Sequence, residues 1–150
     1  MKTTILGSLI GAFLLIVCGI AAAQTEIKVG IAGPLSGSSL SLGETQEVGA
    51  QKAFNHLNDR DGLLGKEIVV ISVADACELR QAEAVAKQLV SEGVVFVVGH
   101  VCSACSIPVS KIYEKAGIIM ISPASTNPKV TDEGGPYETA LQYQAVLHRR

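Results

Sequence analysis

From residue 27 onward, short β-branched runs alternate with segments whose apolar residues recur at helical spacing. Residues 27–32 (IKVGIA) form the first run, which ends at Gly33-Pro34. Across 44–57 the apolar positions Val48, Ala50, Ala53, Phe54 and Leu57 follow a helical period, and Asn58-Asp59-Arg60-Asp61-Gly62 stops it. Residues 67–73 (EIVVISV) predict a second strand. Residues 79–90 predict a second helix, with Ala82, Val85, Ala86, Leu89 and Val90 on one face and Gly93 as its C-cap. Residues 94–98 are apolar throughout and predict a third strand. A third helix over 106–115 ends at Gly117, and 118–121 is a fourth strand.

The order β-α-β-α-β-α-β places the chain in the α/β class. Continuously apolar strands are buried on both faces, which calls for a parallel sheet with helices on each side. Right-handed crossovers make this a doubly wound open sheet, and such sheets bind ligands outside the carboxyl ends of their strands. The segments at those ends are 33–43, 74–78, 99–106 and 122–128, all rich in Ser, Thr, Gly or Cys.

A different pattern precedes these elements. Lys2 is followed by an apolar run over 5–20, then by Ala21-Ala22-Ala23 and polar Gln24-Thr25-Glu26. A basic residue, an apolar stretch and a small-residue site are the parts of a secretory signal, so residues 1–23 are expected to be a signal peptide cleaved after Ala23. A retained anchor and lipidation at Cys18 are the alternatives. Export puts the folded chain where disulfides persist.

Composition narrows the classes. A net charge of −2 over 150 residues supplies no basic face for nucleic acid. The hydrophobic share of 48% is swollen by the leader but still excludes whole-chain disorder. No G-x-G-x-x-G follows the first strand, no P-loop lysine is present, and GPLSG at 33–37 misses the G-x-S-x-G elbow by one position. Of three histidines, only His100 falls near the crevice, where it has no evident partner and reads as structural. Asp75 and Glu78 flank Cys77 and read as caps of the second helix. No catalytic residue and no cofactor is expected.

The cysteines carry the sharpest signal. Cys77 follows the second strand and Cys102 the third. If these strands are neighbours, their ends lie about 4.8 Å apart, within the span of a disulfide. A Cys77–Cys102 bridge is therefore expected, with Cys105 as a spare thiol. Two other readings stand beside it. Cys102-Ser103-Ala104-Cys105 is a C-x-x-C at a helix start, the form of an exported thiol-disulfide oxidoreductase site. His100, Cys102, Cys105 and Cys77 could also be ligands of a metal.

The other crevice groups are neutral. Ser103 opens the third helix, whose free backbone N–H groups favour an anion. Ser122, Ser125 and Thr126 follow the fourth strand. Such a set suits a carboxylate and an ammonium held by hydrogen bonds, although simple helix capping would use the same residues.

Several stretches together resemble the branched-chain amino-acid-binding proteins of ABC transporters (the Leu/Ile/Val-binding protein family). They are IKVGIAGPLSG at 27–37, Asp75-Ala76-Cys77, GHVCS at 99–103 and ISPASTNP at 121–128. Gly43, the double-glycine turn over 58–65 and the helix over 81–87 also resemble the family. The resemblance runs from Ile27 to Asp132. It implies a type I periplasmic-binding fold with an amino acid trapped between two α/β lobes, of which this chain would hold the N-terminal part of lobe 1. It also implies a Cys77–Cys102 disulfide, a carboxylate-binding Ser103, and Ala124 and Thr126 holding the ammonium and carboxylate, with Ser125 between them. Leu42 stands where relatives often place an aromatic ring over the ligand side chain, and Cys105 replaces a residue that is usually Ser or Thr.

Further implications are an aliphatic amino-acid ligand, an inner-membrane ABC permease as partner, a monomeric state and no enzymatic activity. A ligand-sensing domain of the same fold, taking a small amide, is the alternative within it. The partial lobe is expected to span 24–134. Residues 135–150 match none of the family's pattern and are expected to be a divergent tail, as in a truncated or frameshifted product with impaired binding.

Overall fold

The structure is a computed structural model and describes residues 26–133. The expected signal peptide, its cleavage site and the divergent tail lie outside the described residues. The elements are β1 (Glu26–Gly33), α1 (Leu40–Asn58), β2 (Glu67–Ala74), α2 (Leu79–Ser91), β3 (Phe96–Val98), α3 (Ser103–Ala116), β4 (Ile119–Ile121) and a single turn, α4 (Lys129–Asp132). The four strands form one parallel sheet in the order β2-β1-β3-β4. Gly30 of β1 pairs with Ile71 on one side and Val97 on the other. The α/β class and the parallel sheet are as the alternating pattern implies.

The faces follow from the pleat, because successive residues of a strand point to opposite sides. A side chain at Gly30 would meet Leu89 of α2, whereas one at Gly33 would meet Gln46 of α1. Helices α2 and α3 therefore cover one face and α1 the other. The main core lies on the α2/α3 face, where Ala32, Val97 and Met120 of the sheet meet Ala86, Leu89 and Val109 of the helices. The helical stripe Ala82, Val85, Ala86 and Leu89 is buried as the sequence period requires.

Helix ends are set by local chemistry. Gly117 adopts a left-handed φ of 70° after α3, and the N–H of Ile118 reaches back to the Tyr113 carbonyl. After α1, both amide atoms of the Asn58 side chain bond Ile68, at 2.8 Å to its N–H and its carbonyl, which stitches the turn to β2. Helix α3 begins three residues earlier than the sequence suggests. Pro108 lies inside it, and the N–H groups of Cys105 and Ser106 already close on the Cys102 carbonyl. Helix α1 likewise starts earlier, at Leu40, in a turn whose residues are mostly exposed and so carry no apolar period to announce it.

Candidate ligand-binding site

All four crevice segments converge at the carboxyl end of the sheet. Where β3 leaves the sheet, Gly99 has φ 142° and packs against the backbone of Ala32, so that a Cβ would overlap the Ala32 carbonyl. Only glycine fits this exit. Its N–H bonds the Ile121 carbonyl at 2.8 Å. Where β2 ends, the Asp75 N–H bonds the Gly33 carbonyl at 2.8 Å. Ala76 and Cys77 then take left-handed φ values of 51° and 58°, a strained pair for residues with side chains. The Asp75 Oδ1 accepts the Cys77 N–H at 2.9 Å and holds this turn.

The turn delivers Cys77 to Cys102, and the two form a disulfide with a Cα–Cα distance of 5.6 Å. The premise that their strands are neighbours is corrected, because β1 lies between β2 and β3. The bridge closes over the end of β1, since one loop curls inward through Ala76 and Cys77 while the other hugs Ala32 through Gly99. Cys105 is left as a fully buried thiol. Burial and the charge of Asp75 push its pKa up to about 11. This is the reverse of an activated C-x-x-C, whose thiolate must be favoured. Two of the four groups considered as metal ligands are consumed by the disulfide. Among the described residues no cluster of His, Cys, Asp and Glu is arranged to hold a metal.

The reading of Asp75 as a helix cap is also corrected. Glu78 is the N-cap of α2 and makes no side-chain capping bond. Asp75 turns inward, and its Oδ2 meets His100 Nδ1 at 2.6 Å with both side chains fully buried. His100 Nε2 lies 3.1 Å from the Tyr113 hydroxyl. Burial pushes the Asp75 carboxyl up. The hydrogen bonds from His100 and the Cys77 N–H and the attraction of the imidazole outweigh that, so its pKa lies below the ordinary value. Burial and the Asp75 charge push the Tyr113 phenol up, so it stays protonated. His100 thus has two partners that its sequence neighbourhood gave no hint of.

The carbonyl of His100 gathers three hydroxyls, from Ser106 at 2.9 Å, Ser122 at 2.6 Å and Ser125 at 3.2 Å. Ser106 and Ser125 also share a hydrogen bond at 2.7 Å, so only one of the two gives its proton to a carbonyl, and Ser125 has the Val101 carbonyl at 3.1 Å as well as that of His100. The Ser125 N–H donates to Ser122 Oγ at 3.0 Å. Ser125 therefore points its hydroxyl into the interior, whereas its neighbours Ala124 and Thr126 are exposed at the rim. Ser103 opens α3, and its Oγ accepts the N–H groups of Thr126 and Asn127 at 3.2 and 3.3 Å. Ser103 and Thr126 are thus brought together directly.

Leu42 is 54% exposed on α1. With Val101, Pro123 and Ala124 it lines a largely apolar concavity of about 550 Å³ that runs down α1 to Phe54 and Phe96. Sequence reasoning missed Gln46, which is buried in this wall. Its Nε2 donates to the carbonyls of Ala32 at 3.1 Å and Val98 at 2.8 Å, tying α1 to the ends of β1 and β3. Gly33 leaves the space its Oε1 occupies. A lone polar residue on an otherwise apolar helix face, opposite a strand-end glycine, was the available signal.

Comparison with known proteins agrees with this architecture. The family model described as "Periplasmic binding protein" matches residues 26–147. The leucine-specific-binding protein of Salmonella typhimurium is 42% identical over 112 residues, covering 75% of this chain and 30% of that protein. The Leu/Ile/Val-binding protein of Escherichia coli K12 is 38% identical over 122 residues, covering 81% of this chain and 31% of the relative. Among solved structures, the branched-chain amino acid transporter substrate-binding protein of Streptococcus pneumoniae in complex with isoleucine superposes with a TM-score of 0.69. It is 32% identical, over 72% of this chain and 31% of the other. A substrate-binding protein of Desulfitobacterium hafniense in complex with Leu gives a TM-score of 0.65 at 35% identity, over 73% of this chain and 32% of its own. The chain thus spans under a third of the length of these relatives and has the type I periplasmic-binding fold over that part. By its match over 26–147 and by the parallel sheet that residues 26–121 build, the chain belongs to the periplasmic binding protein family.

Proposed function

We propose that this chain carries the first-lobe half of an amino-acid site, as part of an extracytoplasmic substrate-binding component of an ABC transporter for branched-chain or related aliphatic amino acids. The observation that carries this reading is the junction of Ser103 with residues 126 and 127 at the N-terminus of α3. A hydroxyl and the free N–H groups of a 14-residue helix face the crevice there, a setting that favours a carboxylate. Thr126 and the backbone of Ala124 supply donors and acceptors for the rest of an amino-acid head group. Leu42 at the mouth of the apolar concavity suits an aliphatic side chain. Ser125 takes part through its place in the loop, its hydroxyl being committed to the interior.

The same geometry disfavours the oxidoreductase reading, since Cys102 is bonded to Cys77 and Cys105 is buried with a raised pKa. The role read for the site is capture, in line with its substrate-binding relatives. An export signal cleaved after Ala23 delivers the chain to the periplasm, where a permease of the inner membrane would be its partner and the chain itself a monomer.

A half-site leaves its ligand open to water, because a closed pocket normally buries most of a small ligand's surface. Residues 24–150 taken alone should therefore bind weakly, with a Kd on the order of 1 mM, or about 4 kcal/mol. Titration of the isotope-labelled protein with L-leucine, followed by NMR, tests the reading. L-leucine, L-isoleucine and L-valine should shift the resonances of Ser103, Ala124 and Thr126, and L-lysine and L-glutamate should not. Absence of any leucine-dependent shift overturns the proposal, and submicromolar binding overturns the half-site account of it.

A further inference from the structure

We propose that His100 is the positioning residue of this site: its ring is clamped between Asp75 and Tyr113, its carbonyl gathers Ser106, Ser122 and Ser125, and together these fix where residues 103 and 124–126 present themselves. The inference rests on the amino-acid-binding reading for its consequence, but its geometry stands apart from any ligand.

Four elements meet at this one residue. Asp75 comes from the end of β2, His100 itself from the end of β3, Ser106 and Tyr113 from α3, and Ser122 and Ser125 from the loop after β4. The ring is wholly buried and has a partner on each nitrogen, so it cannot rotate without breaking one of them. Fixing the ring fixes the peptide that follows, and hence the direction of the carbonyl. The Ser125 hydroxyl turns inward among the His100 carbonyl, the Val101 carbonyl and the Ser106 hydroxyl, which leaves Ala124 and Thr126 facing out on either side. Three residues along the chain from His100, Ser103 accepts the N–H groups of Thr126 and Asn127 and closes the ring of contacts. The His100 side chain is wholly buried, so it acts through its neighbours and not on a ligand.

Amide hydrogen exchange, read residue by residue, tests this without a ligand, and L-leucine titration of the same samples tests the consequence. Tyr113→Phe removes one oxygen from the fully buried clamp, and Ser125→Ala removes one hydroxyl from beside the carbonyl. Each should speed exchange at residues 125–127 by roughly five- to tenfold, the effect of one net hydrogen bond, while the β1 amides of Val29 and Ile31 keep wild-type rates. Leucine affinity should fall by a similar factor. His100→Asn, which keeps a donor for Asp75, should recover most of the protection that His100→Ala loses.

Unchanged exchange at 125–127 in Tyr113→Phe and Ser125→Ala overturns the proposal. So does a uniform rise that includes Val29 and Ile31, which would mark a general loss of stability. A loosened loop with unaltered leucine affinity overturns the positioning role as well. If the wild-type protein itself fails to respond to leucine, the binding reading fails, and the exchange pattern alone then decides whether His100 orders the loop.

Discussion

Asp75 and His100 meet at 2.6 Å in a fully buried pair that joins the ends of two strands lying on either side of β1. A carboxylate is tolerated there because a backbone N–H and an imidazole N–H both point at it, which replaces the water it lost.

The first prediction concerns acid stability. The pKa of Asp75 in the folded chain is below its ordinary value of 3.8. A group depressed in this way contributes stability above its unfolded pKa and loses it as pH falls through the folded one. The midpoint of thermal unfolding should therefore drop as pH is lowered below about 4. Asp75→Asn should flatten that acid limb. Asp75→Ala should cost about 3 kcal/mol at neutral pH, the lower end for removing one partner of a buried pair. Calorimetry across pH 2–7 checks both outcomes.

The disulfide supports a second prediction. It closes a loop with a sequence separation of 25. On the chain-entropy model a loop of that size stabilises by about 3 kcal/mol. Cys77→Ser with Cys102→Ser should lower unfolding stability by that amount in urea titrations. Reduction of the wild-type protein should match the double variant, and the same reductant should leave the double variant unchanged.

Much of the fold was legible in the chain, and the reasons differ element by element. The stripe of Ala82, Val85, Ala86 and Leu89 announces α2 because a helix packed on a sheet must keep one apolar face. Strand order was not legible. The crossover rule fixes the hand of each βαβ unit but not which strand lies between which, so the Cys77–Cys102 pairing was expected from a neighbour relation that does not exist. Asp75 looked like a cap because a carboxylate just before a helix commonly is one. The reason it turns inward is His100, 25 positions away, which no local pattern reveals. In the loop after β4 there is no period to tell inward from outward positions. Ser125 and Thr126 therefore read alike in sequence, although one is buried and the other exposed.

Cys105 gives a third prediction. The thiol is buried, and its pKa is pushed up to about 11, first by burial and then by the Asp75 charge. At pH 8 it should resist alkylation in the folded protein and react once the protein is unfolded, as peptide mapping of the labelled residue would show. The folded protein should also fail to reduce insulin disulfides. Rapid labelling of native Cys105 would contradict the burial and reopen a redox role for the C-x-x-C segment.

The last prediction separates the two halves of the proposed site. Ser103 Oγ already accepts two N–H groups, from Thr126 and Asn127, so the hydroxyl proton is left to be given to a carboxylate. Ser103→Ala removes that donor and also frees the two N–H groups it held, and it should weaken L-leucine binding by roughly tenfold, the low end for a hydrogen bond to a charged group. Isoleucine, valine and glycine should be weakened equally, because the head group is common to them. Leu42 stands apart from that head-group chemistry, 54% exposed at the mouth of the apolar concavity. Leu42→Asp should therefore penalise leucine, isoleucine and valine while leaving glycine binding unchanged, because glycine has no side chain to desolvate there. NMR titrations of both variants with leucine and glycine distinguish the two roles. A Leu42→Asp variant that weakens glycine as much as leucine would place Leu42 in the support of the loop, and the aliphatic preference would then have to come from the concavity walls at Val101 and Pro123.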